Sequence, residues 1–339
     1  MGEQVNERYS RQIRFQKIGE SGQVTLGKKV VLIVGVGALG TVLANHLVRA
    51  GVGHVRIVDR DYVEMSNLQR QMLFDENDVK ESLPKAIAAE RKLRAINSDV
   101  IVEGIVADVT AATLPELAKG VDLILDGTDN FQTRFLVNDF CFKENIPFVY
   151  GGAVSSRGMT ALFIPGKTPC LRCFISQGEG TGQTCDTVGV ISPVVDIVAS
   201  YQTVEAMKYL LHDEEALRGT LRSFDLWANH HVDIKLHAKK KDCPTCGLHQ
   251  YPALREEEDQ LTTLCGRETV QIRRKGQLDL AVWAERLEAV ADVTKTPFLL
   301  RVQLEEGERI VLFPDGRVLV QGTEDMTRAR SLYSKYIGN

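Results

Sequence analysis

The run Val30-Val31-Leu32-Ile33-Val34-Gly35-Val36-Gly37-Ala38-Leu39-Gly40 constrains this chain more than any other stretch. Its apolar half suits a strand buried on both faces, as a parallel sheet requires. Gly35, Gly37 and Gly40 then fit G-x-G-x-x-G, a pattern that makes a tight turn, brings backbone close to a phosphate and packs the next helix on the sheet. The N–H groups at the start of that helix, reinforced by its dipole, hold an anion. This much says nucleotide, without saying which nucleotide or which reaction. The absence of charge from Val30 to Val48 also makes the stretch a nominal membrane span. The clustered glycines, Asn45, His46 and a second apolar strand pattern at 55–58 favour strand–turn–helix–strand instead.

Composition narrows the class. A chain of 339 residues accommodates one large α/β domain and a smaller one. The formal net charge of −4 provides no basic field for nucleic acid or membrane. The residues after Met1 lack the apolar core of a secretory signal, and Asn6 breaks a lipidation motif at Gly2. Seven cysteines, an odd number without a signal, point to a reducing, cytoplasmic setting, where cysteines serve as metal ligands, nucleophiles or core filler.

Along the chain, a second strand at 54–58 delivers Asp59 to the position where ribose hydroxyls are bound. A dehydrogenase would look the same up to this point. Downstream, Asp61 leads into the polar run Ser66-Asn67-Leu68-Gln69-Arg70-Gln71, whose arginine suits phosphate. Pro84 opens a helix and sets Lys85 at its positive end. A strand at 100–106, a helix at 111–119, and a buried strand at 121–125 that delivers Asp126 to Asn130 follow in turn. A helix at 131–144 and a strand at 146–150 complete a doubly wound, mostly parallel, Rossmann-like α/β sheet, with ligands at the strands' carboxyl ends.

Beyond Gly152 the pattern becomes antiparallel at 157–165. A Gly/Thr-rich loop at 178–189 holds Cys185, a helix spans 193–211, and strands lie near 220–227 and 231–236. Residues 1–253 therefore read as the main domain. The charged segment 254–261 reads as a linker, and 262–339 as a small α+β domain with a helix at 279–291, a strand at 298–304 and a final helix at 324–336.

Cys170-x-x-Cys173 and Cys243-x-x-Cys246 have the spacing of a closed, tetrahedral, structural Zn²⁺ site. A nucleic-acid-binding zinc ribbon is the rival, which the acidic balance disfavours. Asp129 suits Mg²⁺ beside phosphate oxygens, and equally suits the cap of the following helix. Asp126 fits a strand-end ligand or a turn former, and Arg70 and Lys85 fit phosphate contacts or a solvated surface. Cys185 is a nucleophile or an incidental thiol. Cys141 and Cys265 read as packing.

These motifs occur in one order, with Arg8-Tyr9-Ser10-Arg11-Gln12 ahead of them. Over roughly residues 8 to 250 the chain thus resembles the ThiF/MoeB/HesA family of ubiquitin-activating-like adenylyltransferases. The resemblance implies ATP-dependent adenylation of the C-terminal Gly-Gly carboxylate of a small ubiquitin-fold sulfur carrier protein, for thiamin (thiazole) or molybdopterin synthesis. It implies ATP over Gly35, Gly37, Ala38 and Gly40, with Asp59 and Asp61 at the ribose side. Asn67, Arg70 and Lys85 would then meet the phosphates, and Asp129 would hold Mg²⁺.

It further implies a homodimer in which Arg11 reaches the partner's triphosphate, and zinc on Cys170, Cys173, Cys243 and Cys246. Cys185 matches the loop cysteine that joins covalently to the carrier in some members, and a cysteine desulfurase or sulfurtransferase is an implied partner. Ala38 stands where many members have glycine, and 262–339 is not the rhodanese domain of some relatives. Two other readings remain beside it. An NAD-dependent oxidoreductase accounts for Gly35–Gly40 and Asp59 alone, and a silent relative would bind carrier or nucleotide without chemistry.

Overall fold

The computed structural model describes residues 7–175, 188–236, 239–255, 261–264, 268–274 and 276–338. The chain divides into two compact units, Met1–Glu256 and Glu257–Asn339. In the first, eight strands form one sheet in the order β3-β2-β1-β4-β5-β6-β7-β8. They are β1 (Val30–Val34), β2 (His54–Asp59), β3 (Ile101–Val106), β4 (Leu123–Asp126), β5 (Phe148–Val154), β6 (Arg157–Phe163), β7 (Thr220–Asp225) and β8 (His230–Lys235). The first five run parallel and the last three extend the sheet antiparallel, as expected. β1 lies between β2 and β4, where the strand order reverses. That switch point is where open α/β sheets bind ligands.

β1 is apolar throughout because it is paired on both edges and covered on both faces, with Val31, Leu32 and Ile33 shut off from water. The Ala38–Ala50 helix packs against it and ends at Gly51 in the left-handed conformation. The Ser192–Leu210 helix packs on the Ala38–Ala50 helix and on β5 and β6.

Three local expectations shift. The helix expected at 111–119 shrinks to Leu114–Leu117. Thr110 and Thr113 exchange backbone-to-hydroxyl bonds of 2.9 and 3.2 Å that hold the preceding turn out of helix. The helix expected at 279–291 stops at Leu287 and is followed by an additional strand at 292–295, because its buried stripe of Leu280, Trp283, Ala284 and Leu287 ends there. β5 does not end at residue 150 but runs through Gly151 and Gly152 to pair back with β6.

That extension leaves β4 and β5 paired over only two residue pairs, Ile124↔Phe148 and Leu125↔Val149. Gln202, from the Ser192–Leu210 helix, fills the gap. Its Nε2 donates to Asp126 O at 2.9 Å and to Val149 O at 3.2 Å. Gly151 must lack a side chain, since a Cβ there would lie 2.3 Å from the Gln202 amide oxygen.

The second unit is an antiparallel six-stranded sheet in the order β11-β12-β13-β14-β10-β9. Its strands are β9 (Leu261–Leu264), β10 (Thr269–Arg273), β11 (Asp292–Lys295), β12 (Leu300–Gln303), β13 (Arg309–Leu312) and β14 (Arg317–Gln321). The Leu280–Leu287 and Met326–Tyr336 helices, N-capped by Asp279 and Asp325, share a core with Val270, Ile272, Val302 and Ile310. No helix among the described residues is long and apolar enough to cross a membrane.

Gln202→Leu preserves volume but leaves the two carbonyls without a donor, so we expect about 1–3 kcal/mol of lost stability, read as a lower urea midpoint.

Candidate nucleotide and metal site

The turn after β1 is held by close backbone packing. Gly35 has φ +86°, and its N–H donates to Val58 O at 2.8 Å. A Cβ on Gly40 would stand 2.0 Å from Gly35 O, and one on Gly127 would stand 2.3 Å from the same atom. The β1 turn, the start of the Ala38–Ala50 helix and the end of β4 therefore meet backbone to backbone. Asp59, at the end of β2, fastens this turn from the other side. Its Oδ2 accepts from Val36 N and its Oδ1 from Asp61 N, both at 2.7 Å. Each oxygen keeps a lone pair for a ribose hydroxyl. Burial pushes the Asp59 pKa up, and the neighbouring Lys85 ammonium opposes that shift.

Lys85 opens the Lys85–Ile96 helix, yet its side chain is only 4% exposed. A buried ammonium requires a partner, and Nζ lies 3.3 Å from Asp61 Oδ2. The backbone sets the pair. Val63 N donates to Leu83 O at 2.8 Å and Lys85 N to Asp61 O at 2.9 Å, stitching the two segments antiparallel. Asp59, Asp61, Lys85 and the glycine turn are thus brought together.

Between these segments, Met65–Asn67 forms a single 3₁₀ turn closed by a capping box. Asn67 Oδ1 accepts from Glu64 N at 3.1 Å. Arg70 is half-exposed and steadied by a 3.0 Å bond from Nη1 to Ser66 O. Gln71 was not among the residues expected at the site. It is buried, its Oε1 has no hydrogen-bond partner, and its Nε2 would lie 3.7 Å from a Cβ on Gly37. The sequence signal was its place in the Ser66–Gln71 run.

At the end of β4, Asp126 is the turn former, its Oδ1 accepting from Thr128 N at 2.9 Å in an Asx turn. It is buried, and it bonds Thr128 Oγ1 at 2.7 Å and Arg134 Nε at 3.0 Å. Arg134 also donates from Nη2 to Thr128 O at 2.7 Å and to Gly151 O at 3.0 Å. Burial raises the Asp126 pKa, and Arg134 opposes it. Asp129 is exposed on the loop so held. It is not the helix cap, because Asn130 takes that role, accepting from Thr133 N at 2.8 Å.

Arg11 lies elsewhere. The Ser10–Ile13 helix is pinned by Tyr9 and Gln12. Tyr9 OH accepts from Asn97 Nδ2 at 2.8 Å, and Gln12 Nε2 donates to Ala50 O at 2.8 Å. These bonds sit at the carboxyl end of the Ala38–Ala50 helix, ~18 Å along its axis from the glycine turn. Arg11 is exposed there, and the fold does not bring it to its own chain's phosphate turn. Cys185 and Cys265 lie outside the described residues.

The four remaining motif cysteines do converge. The Sγ atoms of Cys170, Cys173, Cys243 and Cys246 all lie within 4.8 Å of one another, with the 170–243 and 173–246 pairs at 3.5 and 3.3 Å. Four thiolates 2.3 Å from a tetrahedral zinc stand about 3.8 Å apart, so the cluster fits that ion. Cys141 is buried in the Phe131–Glu144 helix, as packing.

A doubly wound sheet with a glycine turn and a buried lysine at its switch point has the form of a nucleotide-binding fold. The ThiF family model matches residues 9–245, and the chain belongs to that family. It is 49% identical over 336 residues to the sulfur carrier protein ThiS adenylyltransferase of Bacillus subtilis (strain 168), an alignment covering 98% of this chain and 99% of the relative. That alignment takes in the second unit, which the family model does not. The SAMP-activating enzyme E1 of Haloferax volcanii is 38% identical, over 71% of this chain and 88% of its own. Among solved structures, E. coli MccB with ATP superposes with a TM-score of 0.62 at 25% identity, over 73% of this chain and 76% of that one.

Arg134→Met strands a buried carboxylate, and about 3–5 kcal/mol of stability should be lost at neutral pH. Because the stranded Asp126 binds its proton more tightly in the folded state, the deficit should narrow as pH falls through its raised pKa. Denaturant titrations of both proteins at several pH values measure this.

Proposed function

We propose that this chain adenylates the C-terminal Gly-Gly carboxylate of a small ubiquitin-fold sulfur carrier protein of the ThiS kind. The observation that carries this reading is the near full-length identity to the Bacillus subtilis ThiS adenylyltransferase. A carrier carboxylate oxygen attacks the α-phosphorus of ATP, the bond from that phosphorus to the bridging oxygen breaks, and pyrophosphate leaves with that oxygen. The product is an acyl-adenylate. The difficulty is electrostatic, since an anion must approach a polyanion, and fixed cations that hold the groups in line lower that barrier.

In this reading Gly35, Gly37, Ala38 and Gly40 form the floor under the phosphates and Asp59 takes the ribose. Asn67, Arg70 and Lys85 take phosphate oxygens, and the Gln71 Nε2 group, beside Gly37, is well placed to donate to them as well. Asp129, relieved of capping duty, holds Mg²⁺, which supplies positive charge to the phosphates. The four clustered cysteines hold a structural Zn²⁺. Arg11 serves the site of a second subunit in a homodimer, consistent with its distance from its own. Cys185 is the residue that takes the carrier covalently, with sulfur supplied by a desulfurase or sulfurtransferase. An oxidoreductase reading gives Arg70, Lys85 and the cysteine cluster no task.

ATP–pyrophosphate exchange tests the proposal. Exchange should require a Gly-Gly-ending carrier and be faster with a thiazole-type than a molybdopterin-type one. Arg70→Ala and Asp129→Ala should lose about 10²–10³-fold in rate with the circular dichroism spectrum unchanged. Carrier-independent exchange, or wild-type turnover by either variant, refutes it.

A further inference from the structure

The Phe131–Glu144 helix serves two places at once. At its start, the Asn130 cap and the Arg134 guanidinium hold the loop that carries Asp129. About 7.5 Å further along the axis stands Asp139, fully buried, whose carboxylate gathers five hydrogen bonds. Arg172 donates two of them, from Nε to Oδ1 at 2.9 Å and from Nη2 to Oδ2 at 3.0 Å. Thr245 Oγ1 donates to Oδ1 at 2.5 Å, Ala253 N to Oδ2 at 2.9 Å, and Asn138 Nδ2 to Oδ1 at 3.1 Å. Arg172 stands between Cys170 and Cys173, and Thr245 between Cys243 and Cys246. Each cysteine knuckle therefore presents a residue from between its two ligands to one carboxylate. Asn138 adds to this by accepting from Leu171 N, also inside the first knuckle, at 2.9 Å.

The first knuckle is only a short 3₁₀ turn, and the second is irregular backbone. Backbone N–H groups of Lys240 and Cys170 reach across to the sulfurs of Cys173 and Cys246. The buried, bidentate Arg172–Asp139 pair adds a directional hold on the first knuckle, because neither the carboxylate nor the guanidinium tolerates losing the other, and Thr245 ties the second knuckle to the same carboxylate.

We propose that Asp139 is a positioning residue that clamps both cysteine knuckles to the nucleotide-edge helix, so that metal binding at the four cysteines and ATP binding at the sheet edge are coupled. This rests on the zinc reading above. Such coupling is reciprocal: if the metal tightens ATP binding, ATP tightens metal binding by the same free energy, and slower metal release is its kinetic sign. Outer partners of metal ligands govern affinity by about 10–100-fold, and Thr245 and Arg172 are attached to the ligand loops themselves.

The test uses the zinc-loaded, full-length protein and follows zinc transfer to a chromogenic chelator with and without saturating ATP. Thr245→Val keeps shape and the ion pair while removing one bond to Asp139, and Asp139→Asn removes the charge. In the wild type, ATP should slow zinc release. In Thr245→Val, release should be about 10-fold faster, ATP should no longer slow it, and KM for ATP should rise with kcat unchanged. Asp139→Asn should release zinc faster still, or fail to retain it. A Thr245→Val protein that releases zinc at the wild-type rate, or in which ATP still slows release, overturns the clamp. Wild-type protein that carries no zinc and binds none with affinity instead overturns the zinc reading, a result distinct from a zinc-loaded protein without coupling.

Discussion

A carboxylate and a guanidinium, both shut away from water, set the shape of the nucleotide edge. Asp126 ends β4 and Arg134 sits on the following helix, and their bond closes the connection between the two. The same guanidinium takes the carbonyls of Thr128 and Gly151, so three segments share one cation. Hydrophobic contact is non-directional and would let these segments slide. A fork of N–H groups in fixed geometry does not. Lys85 with Asp61 and Arg172 with Asp139 repeat the device at two other loops. In each case a buried cation and its carboxylate stand where irregular backbone has to be held in one place.

Backbone crowding provides the other constraint. The oxygen of Gly35 is approached by Gly40 and Gly127 more closely than any side chain would permit. Asp59 then spends both its oxygens on the turn's surroundings. The phosphate floor is consequently stiff before any ligand arrives, and a site of this kind need not reorganise as charge moves. The mobile chemistry belongs to whatever protein C-terminus is brought to it.

The βα alternation, the glycine turn and the cysteine spacing were legible in the sequence because their signals are local: apolar runs, three glycines, two paired knuckles. Asp59, Asn67, Arg70 and Lys85 stand out in the sequence as a group for the same reason, and the fold sets Asp59 against the glycine turn with Lys85 beside Asp61. What escaped were residues whose meaning lies in distant partners. Gln202 reads as one polar position on a helix, yet it bonds a carbonyl 76 residues away. Asp139 reads as one acid in Asn-Asp-Phe, and its partners lie 33, 106 and 114 residues on. Asp129 was ambiguous between cap and ligand, since either role suits an acid before a helix, and the Asn130 cap removes the first of these readings. The Thr110–Thr113 turn was read as helix because hydroxyl-to-backbone competition does not disturb apolar periodicity.

The Arg-Tyr-Ser-Arg-Gln run near the start of the chain has a divided character. Tyr9 and Gln12 are committed inward, to Asn97 and Ala50, and Gly51 can carry no side chain because the Tyr9 ring lies against it. Arg11 is turned outward, while Arg8, though exposed, donates to Ile96 O at 3.0 Å. Substitutions in these five residues should therefore sort into two populations. Changes at Tyr9 and Gln12 would register as lost folding, visible in any assay of the isolated chain. Changes at Arg11 would leave the isolated fold untouched.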